Sequence, residues 1–130
     1  MERVFARLGG FFGFTGVGLG AFGAHSLRDQ LLPAALSTYQ TGVLYQLVHA
    51  VALVALAALS ARSGPSKTLL IAGMAFAAGV FFFSGSLYIL AFGGPLNMGA
   101  VAPVGGAAFL VGWGSLFLYG VRRTPESDGP

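Results

Sequence analysis

The sequence predicts an all-α integral membrane protein, with four transmembrane helices in an up-down-up-down bundle. Of 130 residues, 55% are apolar and only 8% are charged, and the charged residues stand in short segments between long apolar runs. An ordinary soluble domain has about 25% charged residues. A domain of this length is too small to hide so much apolar surface in a core, so the lipid bilayer is the expected partner.

The first predicted span covers residues 8–27. These twenty uncharged residues extend about 30 Å as a helix, which matches the hydrocarbon thickness of a bilayer. Arg3 and Arg7 precede the run, and cations followed by an apolar stretch are also typical of a secretory signal. The run is unusually rich in glycine for a signal core, so we expect it to be retained as a helix.

The second span is predicted at residues 43–61. The chain is uncharged from residue 30 onward, but residues 30–41 contain Pro33 and several polar side chains. We interpret this first part as an interfacial segment, an amphipathic helix that begins at Pro33. The span ends at a polar turn, residues 62–67, where glycine and proline interrupt the helix between two cations.

The third and fourth spans share one long uncharged run, residues 68–121. Its 54 residues are too many for one span and suit two. A cluster of helix breakers at residues 93–97 separates them. We therefore expect spans at residues 69–92 and 103–121, the latter beginning at Pro103.

The distribution of charge predicts the orientation. Residues 1–123 form one transmembrane domain in this interpretation, and the polar residues 124–130 form a disordered tail. Four spans place both termini on one side, together with six of the seven Lys and Arg residues, whereas Arg28 lies opposite. Because cations of short loops stay in the cytoplasm, we expect a plasma (inner) membrane protein with both termini cytoplasmic.

Small residues recur on two of the predicted helices. Membrane helices associate through close contacts between small residues. The first span carries a glycine stripe at steps of three and four: Gly9, Gly13, Gly16, Gly20 and Gly23. The fourth span repeats the pattern more briefly with Gly105, Ala108, Gly112 and Ser115. We expect these stripes to pack within the chain, and a homo-oligomer or a larger membrane complex is the alternative.

Seven polar residues of the spans are candidates for a ligand-binding or structural cluster. In the predicted topology all of them lie in the outer half of the bundle: His25, Tyr45, Gln46, His49, Ser84, Ser86 and Tyr88. An ionisable residue at membrane depth is a functional hypothesis by default. The alternative is structural, because serine in a helix commonly bonds its own backbone and the other side chains can tie helices together.

Other kinds of site find little support in the sequence. His25 and His49 could ligate a b-type haem between them, although no spacing rule tests this. Two histidines without an acidic residue in the spans do not complete a metal site, and no catalytic triad is indicated. The few cations are topology signals, so we expect no nucleic acid partner. From the lack of a complete site we also expect no cofactor, no metal and no enzymatic activity.

Four motifs occur in an order that resembles a known family. They are residues 20–25 (GAFGAH), residues 45–50 (YQLVHA), residues 83–88 (FSGSLY), and Pro103-Val104-Gly105-Gly106 followed by Gly112-Trp113. Together they resemble the YgdD-like family of small membrane proteins, a domain of unknown function that includes mammalian transmembrane protein 256. The resemblance covers residues 8–119 and implies a four-helix membrane protein without an established activity.

The predicted function is therefore non-enzymatic. We expect an accessory subunit or a bundle that binds a lipid or another small ligand through the polar cluster. A transporter or channel for a small solute, as a single chain or as an oligomer, is one alternative, and a haem-binding redox subunit is another. Transport would call for polar groups through the full thickness of the membrane, and the inner half has few.

Overall fold

The computed structural model describes residues 1–122, and these residues fold into four long helices. They are α1 (Glu2–Leu27), α2 (Pro33–Ser63), α3 (Lys67–Ala91) and α4 (Leu96–Arg122). Each helix is long and apolar enough to cross a membrane, which confirms the predicted fold class. The predicted tail, residues 124–130, lies outside the described residues. Because a helix can extend beyond the bilayer, the predicted membrane boundaries stay predictions.

α2 is longer than the sequence analysis expected. It begins at Pro33, which suits the first turn of a helix, and continues without interruption to Ser63. The segment at residues 30–41 therefore does not form a separate interfacial helix. The reason is burial, because Tyr39 is only 1% exposed, contacts the Gly23 position of α1 and donates a hydrogen bond to the Leu19 carbonyl oxygen.

The turns between helices follow from the local sequence. Gly64 adopts a positive φ of 79° after α2, and the Ser66 hydroxyl then caps α3 by accepting a hydrogen bond from the Leu69 N–H at 3.3 Å. Gly93, also at φ 79°, follows α3. Positive φ is accessible to glycine at little cost, which explains both helix ends.

Two helices contain widened π-type turns. In α1 the widened turn is its last, Gly23–Leu27, and in α3 it is Val80–Ser84, in the interior of the helix. The Ser84 hydroxyl at the end of the second donates a hydrogen bond to the Gly42 carbonyl oxygen of α2 at 2.7 Å. Such turns rotate the face that the rest of the helix presents.

α2 and α3 form the central pair of the bundle. α1 packs on α2, and α4 packs on α3. We call the end of the bundle that holds residue 1 and residue 122 the terminal end, and the opposite end the far end. At the terminal end Phe5 of α1 is fully buried and reaches the Gly73 position of α3. From this contact toward the far end, α1 and α3 are separated by a groove.

The glycine stripe of α1 faces α2. A β-carbon added to Gly9 would lie 2.9 Å from the Ala50 carbonyl oxygen, and one added to Gly16 would lie 2.7 Å from a Leu47 methyl group. The other stripe glycines face the same helix: Gly13 faces Ala50, Gly20 faces Val43 and Gly23 faces Tyr39. Because the glycines carry no side chain, the side chains of α2 pack directly on the backbone of α1, and at Gly9 the two backbones themselves approach closely.

The small residues of α4 face α3. Gly105 lies against the backbone of Phe83, and Gly112 lies against the ring of Phe76. Ala108 and Ser115 are half-buried on the same helix. In this structure both predicted stripes therefore pack against helices of the same chain.

Candidate functional site

A buried amide connects three helices. Gln46 of α2 is 4% exposed. Its Nε2 donates to the Phe12 carbonyl oxygen at 3.0 Å and to the Thr15 hydroxyl at 2.8 Å, both on α1. Its Oε1 accepts a hydrogen bond from the Tyr88 hydroxyl of α3 at 2.7 Å. Both donors and the oxygen of the amide are thus satisfied, as burial in an apolar environment requires.

This network forms the floor of a groove between α1 and α3, which we call the α1–α3 groove. Its volume is about 540 Å³, within the range of small-molecule sites. The lining is almost entirely apolar, and its polar members are Thr15, Gln46, Ser86 and Tyr88. Phe81 and Ile89 also line it and are exposed, so the groove opens sideways toward the lipid.

His49 belongs to a different group of side chains, between α2 and α4. Its Nε2 lies 3.0 Å from the indole Nε1 of Trp113, and its Nδ1 lies 2.7 Å from the Tyr45 carbonyl oxygen. An indole N–H can only donate, so Nε2 accepts. The ring is therefore neutral, with its proton on Nδ1, where it donates to the carbonyl. Both nitrogens of the 3% exposed imidazole have partners.

Aromatic rings surround this pair. The His49 ring stacks on Phe109 of α4 with 3.6 Å between centroids and 11° between planes. Phe76 of α3 meets the Trp113 ring at 4.8 Å and the His49 ring at 5.3 Å. The imidazole is held by the flat face of Phe109 and by a tilted contact with Phe76, as well as by its two hydrogen bonds.

A second opening adjoins these rings, and we call it the α2–α4 cleft. It encloses about 450 Å³, and Tyr45 and Trp113 stand among its walls. Tyr45 is 40% exposed and Trp113 is 42% exposed, so the cleft also opens to the side of the bundle. Among the residues that the structure describes, the Tyr45 hydroxyl has no hydrogen-bond partner.

The two serines of the predicted cluster have local partners. Ser84 joins α3 to α2 through the Gly42 carbonyl oxygen, as described above. The Ser86 hydroxyl donates to the Phe83 carbonyl oxygen at 2.8 Å, three residues earlier in its own helix. Ser86 nevertheless lines the α1–α3 groove, close to Tyr88 in sequence.

His25 lies apart from the other candidates. It is exposed in the widened last turn of α1. That turn begins at Gly23, level with Tyr39, and His49 is ten residues further along α2, or about 15 Å. The structure therefore does not bring His25 and His49 to the two sides of one haem. Within residues 1–122, no group of three His, Cys, Asp or Glu residues could hold a metal ion.

The structure gives the position of the polar groups along their helices. His49 is the seventeenth of the 31 residues of α2, and Trp113 is the eighteenth of the 27 residues of α4. His49 therefore lies near the middle of its helix, Gln46 is one turn away from it, and Trp113 lies in the second half of α4. The expectation that Tyr45, Gln46 and His49 lie in the outer half of the membrane stays a prediction, because the first turns of α2 can extend beyond the bilayer. Ser84, Ser86 and Tyr88 do lie in the far half of α3.

The candidates thus form two groups, one on each side of α2. Tyr88 and Gln46 face the α1–α3 groove, whereas Tyr45 and His49 face the α2–α4 cleft. The sequence analysis missed two partners, Thr15 and Trp113. A signal for Trp113 was present, because an indole N–H at mid-helix depth needs an acceptor and the apolar spans offer few side chains that accept.

Comparison with known proteins identifies the family. The model of a protein family of unknown function, DUF423, matches residues 19–106. The chain belongs to this family. The matched region contains three of the four motifs on which the resemblance rested and the beginning of the fourth, so the predicted family is confirmed.

Bacterial relatives cover most of the chain. The UPF0382 membrane protein YwdK of Bacillus subtilis (strain 168) is 40% identical over 111 residues, which are 85% of this chain and 90% of that protein. The UPF0382 inner membrane protein YgdD of Escherichia coli (strain K12) is 40% identical over 85% of this chain and 83% of its own length. A UPF0382 membrane protein of Haemophilus influenzae is 39% identical over 116 residues, 89% of this chain and 92% of that protein. No solved structure matches this chain.

Proposed function

We propose that the protein is a non-catalytic membrane protein that holds an acyl chain of a membrane lipid in the α1–α3 groove. The observation that carries the proposal is the groove itself, with a volume of about 540 Å³ and an almost wholly apolar lining. Membership in a family of membrane proteins supports a ligand that the bilayer supplies.

The direction of the groove suits a lipid acyl chain that enters from the far end of the bundle. Met98 and Val101 line it near the beginning of α4, and Phe11 and Phe12 line it near the middle of α1. Along α1 its lining extends from Phe11 to Leu19, about 12 Å of helix. A headgroup would stay at the far end, while the acyl chain follows α1 toward the middle of the bundle.

The hydrogen bonds at the floor favour an apolar occupant. The amide donors of Gln46 are used by α1, and the hydroxyl of Tyr88 is used by Gln46. The donors nearest the groove are therefore occupied, and the surface they present is mainly ring and methylene. An acyl chain gains by dispersion contacts here and leaves no polar group unpaired.

The same network argues against conduction and catalysis. The described buried side chains near the middle, Gln46 and His49, are bonded to neighbouring helices and close the space between them. The two acidic residues that the structure describes, Glu2 and Asp29, lie near the two ends of α1, so no described carboxylate stands beside His49. A subunit role in a larger membrane complex is compatible with lipid binding, because one chain forms the whole groove.

Orientation is part of the proposal. Arg3, Arg7, Arg62 and Lys67 lie toward the terminal end with Arg122, and Arg28 lies toward the far end. By the positive-inside rule the terminal end faces the cytoplasm of a plasma membrane. The groove then opens in the outer leaflet.

A pair of glycine variants tests the proposal. Gly85 lines the groove, and a β-carbon added there would meet no atom within 4 Å, so Gly85→Leu should fill the groove without disturbing the fold. Gly18 is equally open but lies outside the groove, so Gly18→Leu is the matched control. Native mass spectrometry should detect phospholipid on the parent and on Gly18→Leu, and several-fold less on Gly85→Leu. Equal lipid retention by both variants would contradict the proposal.

A further inference from the structure

The α2–α4 cleft has a chemical character that the α1–α3 groove lacks. Tyr45, Phe83, Phe109 and Trp113 line it, so its walls consist largely of aromatic rings. Such walls favour a flat, conjugated ring, which can pack by offset stacking or edge to face. His49 also lines the cleft, and its ring stacks on that of Phe109.

One donor in this cleft is unused. The N–H groups of Trp113 and His49 are both engaged, in the bonds to His49 Nε2 and to the Tyr45 carbonyl oxygen. The Tyr45 hydroxyl has no partner among the described residues. In hydrocarbon an unpaired hydroxyl is costly, so a ligand that offers an acceptor would be favoured over one that offers only carbon.

The position of the cleft limits the ligand further. It opens to the side of the bundle, since Leu110 and Trp113 are exposed, and its lining contains no Lys, Arg, Asp or Glu. A ligand must therefore arrive through the lipid and be uncharged. Its volume of about 450 Å³ accommodates a substituted ring while a tail extends into the bilayer.

We propose that the α2–α4 cleft binds the ring of a lipid-soluble quinone, with a ring carbonyl oxygen accepting a hydrogen bond from the Tyr45 hydroxyl. A quinone combines the required features, namely a flat conjugated ring, no charge, a carbonyl acceptor and solubility in the bilayer. The proposal concerns binding only and includes no redox step. It does not depend on lipid binding in the α1–α3 groove, which lies on the other side of α2.

The protein carries its own probe for this site. Trp113 is the single tryptophan of the sequence and lines the cleft. A quinone in contact with an indole quenches its fluorescence. Titration of the full chain in lipid nanodiscs with a decyl-substituted benzoquinone should quench Trp113 emission along a saturable curve, superimposed on the linear quenching caused by quinone dissolved in the lipid.

Two variants test the site, and each has a matched control. Tyr45→Phe removes only the hydroxyl and should weaken saturable binding about three- to tenfold, as expected for one hydrogen bond. Thr41 of α2 lines neither opening and its hydroxyl bonds only the Ser37 carbonyl oxygen of its own helix, so Thr41→Val should leave binding unchanged. Gly106 lines the cleft and Gly114 does not, yet a β-carbon at either would meet no atom within 4 Å. Gly106→Leu should abolish saturable quenching, and Gly114→Leu should not.

A competition experiment distinguishes the contribution of the carbonyl acceptor to binding from that of the ring. Decylbenzene has the same tail and an aromatic ring but no acceptor, so it should bind several-fold more weakly than the quinone. Added at the same concentration as the quinone, it should leave the saturable quenching curve nearly unchanged. Circular dichroism melting curves show whether each variant is folded. Quenching that stays linear for the parent would overturn the proposal, and so would a saturable curve that is identical for Tyr45→Phe, Gly106→Leu and their controls.

Discussion

At the scale of single residues, the polar side chains near the middle of the bundle are informative because each has a specific partner. The two nitrogens of His49 are held by Trp113 and by the Tyr45 carbonyl oxygen, and the amide of Gln46 is held by α1 and Tyr88. In hydrocarbon a polar group without a partner is destabilising, because no water is present to form the missing hydrogen bond. These bonds therefore specify which helix faces meet, as well as stabilising them.

A double-mutant cycle tests the bond between His49 and Trp113. His49→Phe and Trp113→Phe should each lower the free energy of unfolding, because each leaves one partner unpaired. The double variant should lose less than the sum of the two, by about 1 kcal/mol, since it removes both partners at once. Reversible unfolding in mixed micelles measures all four stabilities. Strictly additive losses would show that the bond contributes nothing.

At the scale of the elements, glycine determines which helices form close pairs. The stripe on α1 brings it against α2, and Gly105 and Gly112 bring α4 against α3. The chain also contains glycines that face open space, including Gly10 and Gly18 of α1. Position on the helix face, and not the number of glycines, therefore decides where the backbones approach.

Adjacent glycines of α1 offer a direct comparison. A β-carbon added to Gly9 would lie 2.9 Å from the Ala50 carbonyl oxygen and 3.2 Å from the Val54 nitrogen, whereas one added to Gly10 would meet no atom within 4 Å. Both alanine variants gain helix propensity equally. Gly9→Ala should nevertheless lower the free energy of unfolding by about 1–3 kcal/mol, because backbone atoms must move apart. Gly10→Ala should be neutral or stabilising.

Chemical denaturation in detergent compares the two variants with the parent. If Gly9→Ala and Gly10→Ala shifted stability by the same amount, close packing of α1 on α2 would not depend on the stripe.

At the scale of the whole molecule, four antiparallel helices place both ends of the described chain on one side. The turn after α2 lies at the terminal end, and the turn after α3 lies at the far end. Most cations lie toward the terminal end as well. The bundle thus has two chemically different ends, and the two openings adjoin different faces of α2.

Cysteine labelling tests the orientation, and the sequence has no cysteine of its own to interfere. A single cysteine at Ser63 should react with an impermeant maleimide only when the cytoplasmic side is accessible. A single cysteine at Asn97, in the turn at the beginning of α4, should react from outside the cell. Labelling of both positions from the same side would exclude the four-span topology, and a reversed pattern would invert the orientation.

The sequence by itself determined the fold class, the number of helices and the family. These follow from the lengths of apolar runs and from short motifs, which can be read along the chain without knowing any contact. It also indicated that the glycines at positions 9, 13, 16, 20 and 23 share one helix face, because helical periodicity is a local property.

Only the tertiary structure decided which helix each face meets and which polar groups pair. His49 and Tyr88 were expected to form one cluster with His25, yet they lie on different sides of α2, and His25 is exposed at the end of α1. The burial of Tyr39 against α1 explains why α2 continues to Pro33. Partner choice depends on how helices rotate and slide against one another, and no local pattern along a single helix contains that information.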